Sequence, residues 1–238
     1  MHEYYAKNRA RFRKDMRALL GPIANELSEK CGKDRETVLE EICAHYERNM
    51  LENFPYIGGD AVSGTKNLTG AYCFVSMGEV LKGYGVTLEE AGHLMVLAYE
   101  RRFQSMPGFV RKILHVLYSN IGILNRMFRR KDAANARNAV LNPGSFETKT
   151  MIPPEEGYDF SYHNLVCPLA NFARKYGYGE YMPYLCNLDY VMFGAFDVAL
   201  RREHTCFEDG DFCDFKMKLG EKPLAYWPPV FTQGGGYK

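Results

Sequence analysis

The 238-residue sequence lacks several things, and each shortage narrows the reading. It has no apolar run long enough to cross a bilayer. The longest candidate, "ILHVLYSNIGILNRMF", is interrupted by His115, Asn120 and Asn125 and flanked by "RK" and "RRK", whereas a spanning helix needs about 20 predominantly apolar residues. It has no visible export signal either, because "MHEYYAKNRARFRKDM" is charged throughout and has no apolar core. A cytoplasmic location is therefore expected, and the seven cysteines read as thiols, not as a disulfide framework. No CxxC or HxxxH pair occurs, which argues against a structural zinc site. The net charge is only +1, so a nucleic-acid or acidic-polymer partner is not expected, and without a spanning run neither is a membrane partner.

What is present is ordinary for a globular chain: 46% hydrophobic and 25% charged residues, in a length that suits one large domain or two modest ones. Residues 1–140 hold 21 Lys and Arg against 16 Asp and Glu, and residues 141–238 hold 9 against 13. That change of character coincides with a change of pattern. "HEYYAKNRARFRKDMRALL" reads as a helix stopped at Gly21-Pro22, and Asp34 can cap "RETVLEEICAHYERNMLENF". Thr87-Leu88-Glu89-Glu90 is a capping box opening another helix, and Pro107 suits the first turn of a long helix running to about Arg130. "RRKDAANARNAVLNPGS" then loses apolar periodicity, which places a boundary near residue 140. Beyond it "FETKTMI" and "DFSYHNLV" are strand-like, "CPLANFARKYG" and "EYMPYLCNLDYVMFGAFD" are helical, and "VALRREHTCF" and "FCDFKMKL" are strands again. The expected fold is α+β: a helical region over 1–140, then an α+β domain over 141–238 with an antiparallel sheet and helices packed on one face. The tail "EKPLAYWPPVFTQGGGYK" reads as an extended strap anchored by Trp227, the lone tryptophan.

The stretch "RREHTCFEDGDFCDF" carries the most chemistry. Asp209-Gly210 between two strand-like runs is a strong hairpin signal. With those two residues as the turn, Cys206 lies opposite Cys213, His204 opposite Phe215 and Arg202 opposite Met217. Alternation puts Arg202, His204 and Cys206 on the side of Cys213, Phe215 and Met217, which is the apolar side, and Thr205 and Asp214 on the other. Arg202 and His204 should then point toward the helices. A buried guanidinium requires a carboxylate, a lined cavity or a ligand anion; the structural alternative is internal pairing with Asp189 or Asp197.

Nearby, Cys186 and Asp189 are three residues apart and share a helix face. Cys167 precedes Pro168 at a helix start, where a thiol can be activated. Cys31, Cys43 and Cys73 read as packing, as do His45, His93 and His115 as structural histidines. His163, at the end of a strand, is a further candidate for the pocket. Cys186, Asp189 and His204 could together hold a divalent metal, although no tight spacing demands one and no cofactor is expected.

"CPLANFARKYGYGEYMPYLCNLDY" followed by "RREHTCFEDGDFCDF" resembles the signature of the L-2-amino-thiazoline-4-carboxylic acid hydrolase family. The matching positions are Cys167, Gly177, Cys186 and Asp189, then Arg202, Thr205, Gly210, Cys213, Asp214 and Phe215, over about residues 160–216. Glu203 and Cys206 depart from what many relatives carry. The resemblance implies hydrolysis of a carbon–nitrogen bond in a small cyclic amidine carboxylate. The reading of the residues fits that chemistry, with Arg202 as a carboxylate fork, Thr205, Cys213 and His163 also lining the substrate, and Asp189 or His204 as the acid–base group. Cys186 or Cys167 would be the nucleophile, with direct attack by water as the other route. Two rival readings are a binding or sensory module that uses the pocket without turnover and an interaction protein with a structural cysteine domain. Homo-oligomerisation is compatible with any of them.

Overall fold

The computed structural model describes residues 1–208 and 211–230. The chain forms two compact units, Met1–Arg102 and Phe103–Lys238. The first is helical: α1 (Glu3–Lys7), α2 (Arg9–Leu20), α3 (Ala24–Cys31), α4 (Arg35–His45), a π-helical turn over Tyr46–Leu51, α5 (Ser63–Gly83) and most of α6 (Leu88–Gln104). Asp34 Oδ1 accepts the Thr37 N–H at 3.0 Å to start α4. Thr87 and Glu90 make the expected reciprocal cap, with Glu90 Oε2 taking the Thr87 N–H at 2.9 Å and Thr87 Oγ1 taking the Glu90 N–H at 3.2 Å. The apolar stripes of α2, α4 and α5 meet in a core that includes Met16, Leu20, Ile42, Tyr46, Tyr72 and Met77, all essentially without exposed surface.

The second unit holds α7 (Gly108–Tyr118), α8 (Ile121–Leu141), β1 (Glu147–Thr150), β2 (Phe160–Val166), α9 (Pro168–Tyr176), α10 (Met182–Ala195), β3 (Ala199–Arg201) and β4 (Cys213–Lys218). The long helix expected from Pro107 to Arg130 is two helices. Asn120 is extended (φ −110°, ψ 106°) and its Oδ1 caps the Ile123 N–H, so α8 starts anew. The compact units divide after Arg102, and α8 packs on β1. Asp132 makes that contact specific, accepting from Thr148 Oγ1 at 2.6 Å and from the Thr150 N–H at 2.8 Å.

The sheet has the order β1-β2-β4-β3 with every neighbour antiparallel. Phe160, Tyr162, Leu200, Phe215 and Met217 form its apolar face. Phe128 from α8 lies on it, 4.5 Å from the Tyr162 ring centroid, and Tyr162 stacks on Phe215 at 4.5 Å. This is the α+β arrangement expected from the sequence, with helices on one face. The other face is polar yet closed at its centre. Lys216 is buried there, its Nζ 2.8 Å from Glu203 and 3.0 Å from Asp214.

The hairpin differs from expectation. Its Asp209-Gly210 turn lies outside the described residues. β3 ends at Arg201, and Leu200, not Arg202, pairs with Met217, a shift of two residues that leaves side-chain facing unchanged through Arg202. Past that point the Asp214 carboxylate draws the chain out of the ladder, accepting the N–H groups of Glu203 (2.9 Å) and His204 (2.8 Å). The alternation therefore breaks: Arg202 is buried as expected, whereas His204 is exposed and Thr205 is fully buried.

Candidate functional site

Three elements converge beneath the apolar face of the sheet. Pro168 at the first turn of α9 and the positive φ of Gly177 at its end fix that helix, which leaves Cys167 as its N-cap residue at the end of β2. The helical spacing of α10 presents Cys186 and Asp189 on one side, and β4 brings up Cys213. Arg202 joins these from the strand end.

Arg202 is the organising group, with only 1% of its side chain exposed. Its Nε donates to Asp214 O at 3.0 Å, and its Nη1 donates to Asp189 Oδ2 at 2.7 Å and to Cys186 O at 3.3 Å. The guanidinium lies 4.1 Å from the Phe215 ring centroid, a cation–π contact in a desolvated setting. The internal pairing with Asp189, considered from the sequence as the structural alternative, is thus what the fold adopts. Burial opposes the charge on Arg202, but Asp189 and the neighbouring sulfurs outweigh it and hold the guanidinium protonated. Burial also raises the Asp189 carboxyl to about 6, with Arg202 pulling in the opposite direction. Its side chain is 33% exposed, so it is the member of the pair that meets solvent.

The thiols are not equivalent. Cys213 Sγ accepts the Cys206 N–H at 3.2 Å and is hydrogen-bonded by the thiols of Cys167 and Cys206. The single hydrogen of the Cys206 thiol has a second acceptor, Asn164 O, at 3.3 Å. These donors, reinforced by the nearby Arg202, hold the Cys213 thiol well below its ordinary range despite burial. Cys167 is displaced the opposite way, first by its bond to Cys213 and then by burial. Burial pushes Cys186 up to about 12. All seven cysteines are free.

The structure thus brings Cys167, Cys186, Asp189, Arg202 and Cys213 together. Thr205 sits beside them in a supporting position, its Oγ1 accepting the Glu208 N–H at 3.3 Å. His204 and His163 are not part of the group. His163 is on the opposite sheet face, paired with Asp214 in register, with its Nε2 2.6 Å from Glu155 Oε1 and its ring stacked on Phe212. His204 leans on the same Phe212 ring. With His204 outside, the mixed ligand set of Cys186, Asp189 and His204 is not assembled, and no three His, Cys, Asp or Glu side chains are grouped to hold a metal among the described residues.

Sequence reasoning missed two contributors. Lys131 of α8 extends over the rings of Phe128 and Tyr162 (5.0 and 5.4 Å to the centroids) and interacts with Asp189. Burial lowers its amine below the usual lysine range. In sequence it was only the end of a basic run. Arg174 of α9 donates to Cys206 O and, at 2.9 Å, to Phe207 O, pinning the turn that carries Cys206. Two cavities lie elsewhere: about 650 Å³ in the first unit, bordered by Tyr46, Thr65 and Cys73, and about 290 Å³ near His115, Asp197 and Lys218.

A four-stranded antiparallel sheet that covers a buried ion pair and a hydrogen-bonded group of thiols defines an α+β domain with a polar, thiol-bearing centre. Residues 101–217 match the family described as L-2-amino-thiazoline-4-carboxylic acid hydrolase, as the cysteine, aspartate and arginine pattern indicated. No curated protein and no solved structure matches the chain. No helix among the described residues is long and apolar enough to cross a membrane.

Proposed function

We propose that the protein hydrolyses a carbon–nitrogen bond in a small cyclic amidine carboxylate of the kind L-2-amino-thiazoline-4-carboxylate represents, with Cys213 as the nucleophile. The family described for residues 101–217 supports the reaction class. The observation that carries the choice of nucleophile is the position of Cys213 Sγ, which accepts the Cys206 N–H at 3.2 Å beside the Cys167 thiol and a buried guanidinium. A thiolate needs such donors, and Cys186 and Cys167 are held in the opposite, protonated condition.

In this reading the Cys213 thiolate adds to the amidine carbon, and a carbon–sulfur bond forms. The ring carbon–nitrogen bond then breaks, and the departing nitrogen takes the proton of the Asp189 carboxyl. A carboxyl near 6 serves both directions of proton transfer close to neutral pH. Water next adds to the thioimidate carbon and loses a proton to the Asp189 carboxylate. Cleavage of the carbon–sulfur bond returns the thiolate and leaves a carbamoyl product. The guanidinium of Arg202 is committed to Asp214 O, Cys186 O and Asp189, so its part is to hold negative charge on Asp189 and Cys213. The substrate carboxylate falls instead to Lys131, a partly buried cation beside Asp189. Thr205 and Arg174 keep the Cys206 turn in place.

The test is turnover of a panel of cyclic amidine carboxylates by the wild type, Cys213→Ser and Lys131→Gln. The expected results are loss of at least about a hundredfold in kcat for Cys213→Ser and a rise in KM for Lys131→Gln. Full activity of Cys213→Ser overturns the nucleophile. Saturable binding with no turnover of any panel member overturns the hydrolase in favour of a binding module.

A further inference from the structure

The helices α7 and α8 present a surface that the catalytic reading does not use. None of the eleven residues of α7 is buried. Phe109, Ile113 and Val116 are 67%, 54% and 58% exposed, and Ile123 and Met127 on α8 are exposed as well. Phe109, Lys112, Ile113 and Val116 share one side of α7 by their spacing. Ile123, Arg126, Met127 and Arg130 repeat the same spacing on α8. Each helix therefore shows water a stripe in which large apolar side chains alternate with cations.

The charge is one-sided. From Phe103 to Arg130 there are five lysines and arginines, all exposed, and no aspartate or glutamate. A second copy of the chain would bring like charges together, which is unfavourable at close range. A nucleic acid would match the cations but has no use for exposed Phe109, Ile113 and Val116 as a group. An anionic bilayer surface satisfies both parts, since aliphatic and aromatic side chains enter the headgroup boundary while Lys and Arg meet lipid phosphates.

We propose that the outward faces of α7 and the first half of α8 dock the protein peripherally on an anionic lipid surface. This does not depend on the hydrolase reading, and it replaces the expectation, drawn from the lack of a spanning run, that no membrane partner exists. The test is co-sedimentation of the full chain with vesicles of phosphatidylcholine alone or mixed in equal parts with phosphatidylglycerol. Binding to the mixed vesicles only, weakened by high salt, is expected. The exposed pair Phe109→Ser/Ile113→Ser abolishes it. Arg126→Gln/Arg130→Gln weakens partitioning about thirtyfold, from roughly fivefold for each surface cation. No binding, equal binding to both vesicles, or binding untouched by Phe109→Ser/Ile113→Ser overturns the proposal. So does a dimer in solution that Phe109→Ser/Ile113→Ser dissociates, which would make a second copy the occupant. Binding to single-stranded RNA that survives the apolar variant likewise assigns the surface to nucleic acid.

Discussion

Replacing Arg202 by methionine keeps most of the side-chain volume over Phe215 and removes the charge. Two backbone carbonyls, Asp214 O and Cys186 O, lose a donor, and Asp189 loses its partner. Breaking a buried pair from one side costs about 3–5 kcal/mol. Asp189 is 33% exposed and regains some water, so we place the loss for Arg202→Met at about 3 kcal/mol, the lower end of that range. The pH dependence has a definite sign. Asp189 ionises in the folded protein near 6, above its ordinary 3.8. Between those values the folded state holds a proton that the unfolded state has released, so this group's contribution to stability falls as pH rises through the window. Without Arg202 the folded carboxyl titrates higher still, the window widens upward, and the deficit of Arg202→Met grows from pH 5 to pH 8. Urea unfolding at those two pH values, with unchanged slope, measures it. The double variant Arg202→Met/Asp189→Asn recovers part of the loss, a coupling of about 2 kcal/mol. A loss under about 1 kcal/mol, or strict additivity, would refute the account of Arg202 as the partner on which Asp189 depends.

Asp189→Asn removes the proton donor from the proposed reaction. The pH profile of kcat/KM in the wild type should bend near 6, and the variant should lose that inflection along with most of its rate; an unchanged profile would assign the ionisation to another group. Asn187 has no exposed surface and holds the C-terminal segment, donating from Nδ2 to Tyr226 O at 2.7 Å and accepting the Val230 N–H at 3.3 Å. Asn187→Ala should cost about 2 kcal/mol and make the chain around residues 222–230 the first site of limited proteolysis, read by mass spectrometry. Cleavage there at the wild-type rate would show that other contacts hold the segment.

Local rules were enough for much of the fold. Thr87 and Glu90, Asp34, Cys167-Pro168 and Gly177 mark element ends because each acts on backbone groups a few residues away. The alternation of Cys213, Phe215 and Met217 gave the inward direction of Arg202. What local rules missed depends on contacts between distant residues. Ser119-Asn120 interrupts a helical pattern that continues with the same period on both sides, so only the cap geometry reveals two helices. His204 turns out and Thr205 turns in because the Asp214 carboxylate captures two N–H groups about ten residues upstream. The grouping of Cys167, Cys186, Asp189, Arg202 and Cys213 was foreseen in outline. Which sulfur receives the hydrogen bonds was not, since it depends on a backbone N–H at Cys206 and on a strand, a turn and a helix start meeting at Cys213. Lys131 gained its place only when Tyr162 and Asp189 were set around it.

Asp214 has a double attachment that bears on how this protein can change. Its main-chain oxygen accepts from Arg202 on the helix side of the sheet, while its carboxylate holds Glu203, His204 and Lys216 on the other. A substitution among the polar residues of the outer face is therefore transmitted through one residue's backbone to the ion pair beneath. Homologous or designed variants that alter Lys216 or Glu203 alone will tend to arrive with second changes at 189 or 202, and grafting the inner centre onto another sheet will require both faces to travel together.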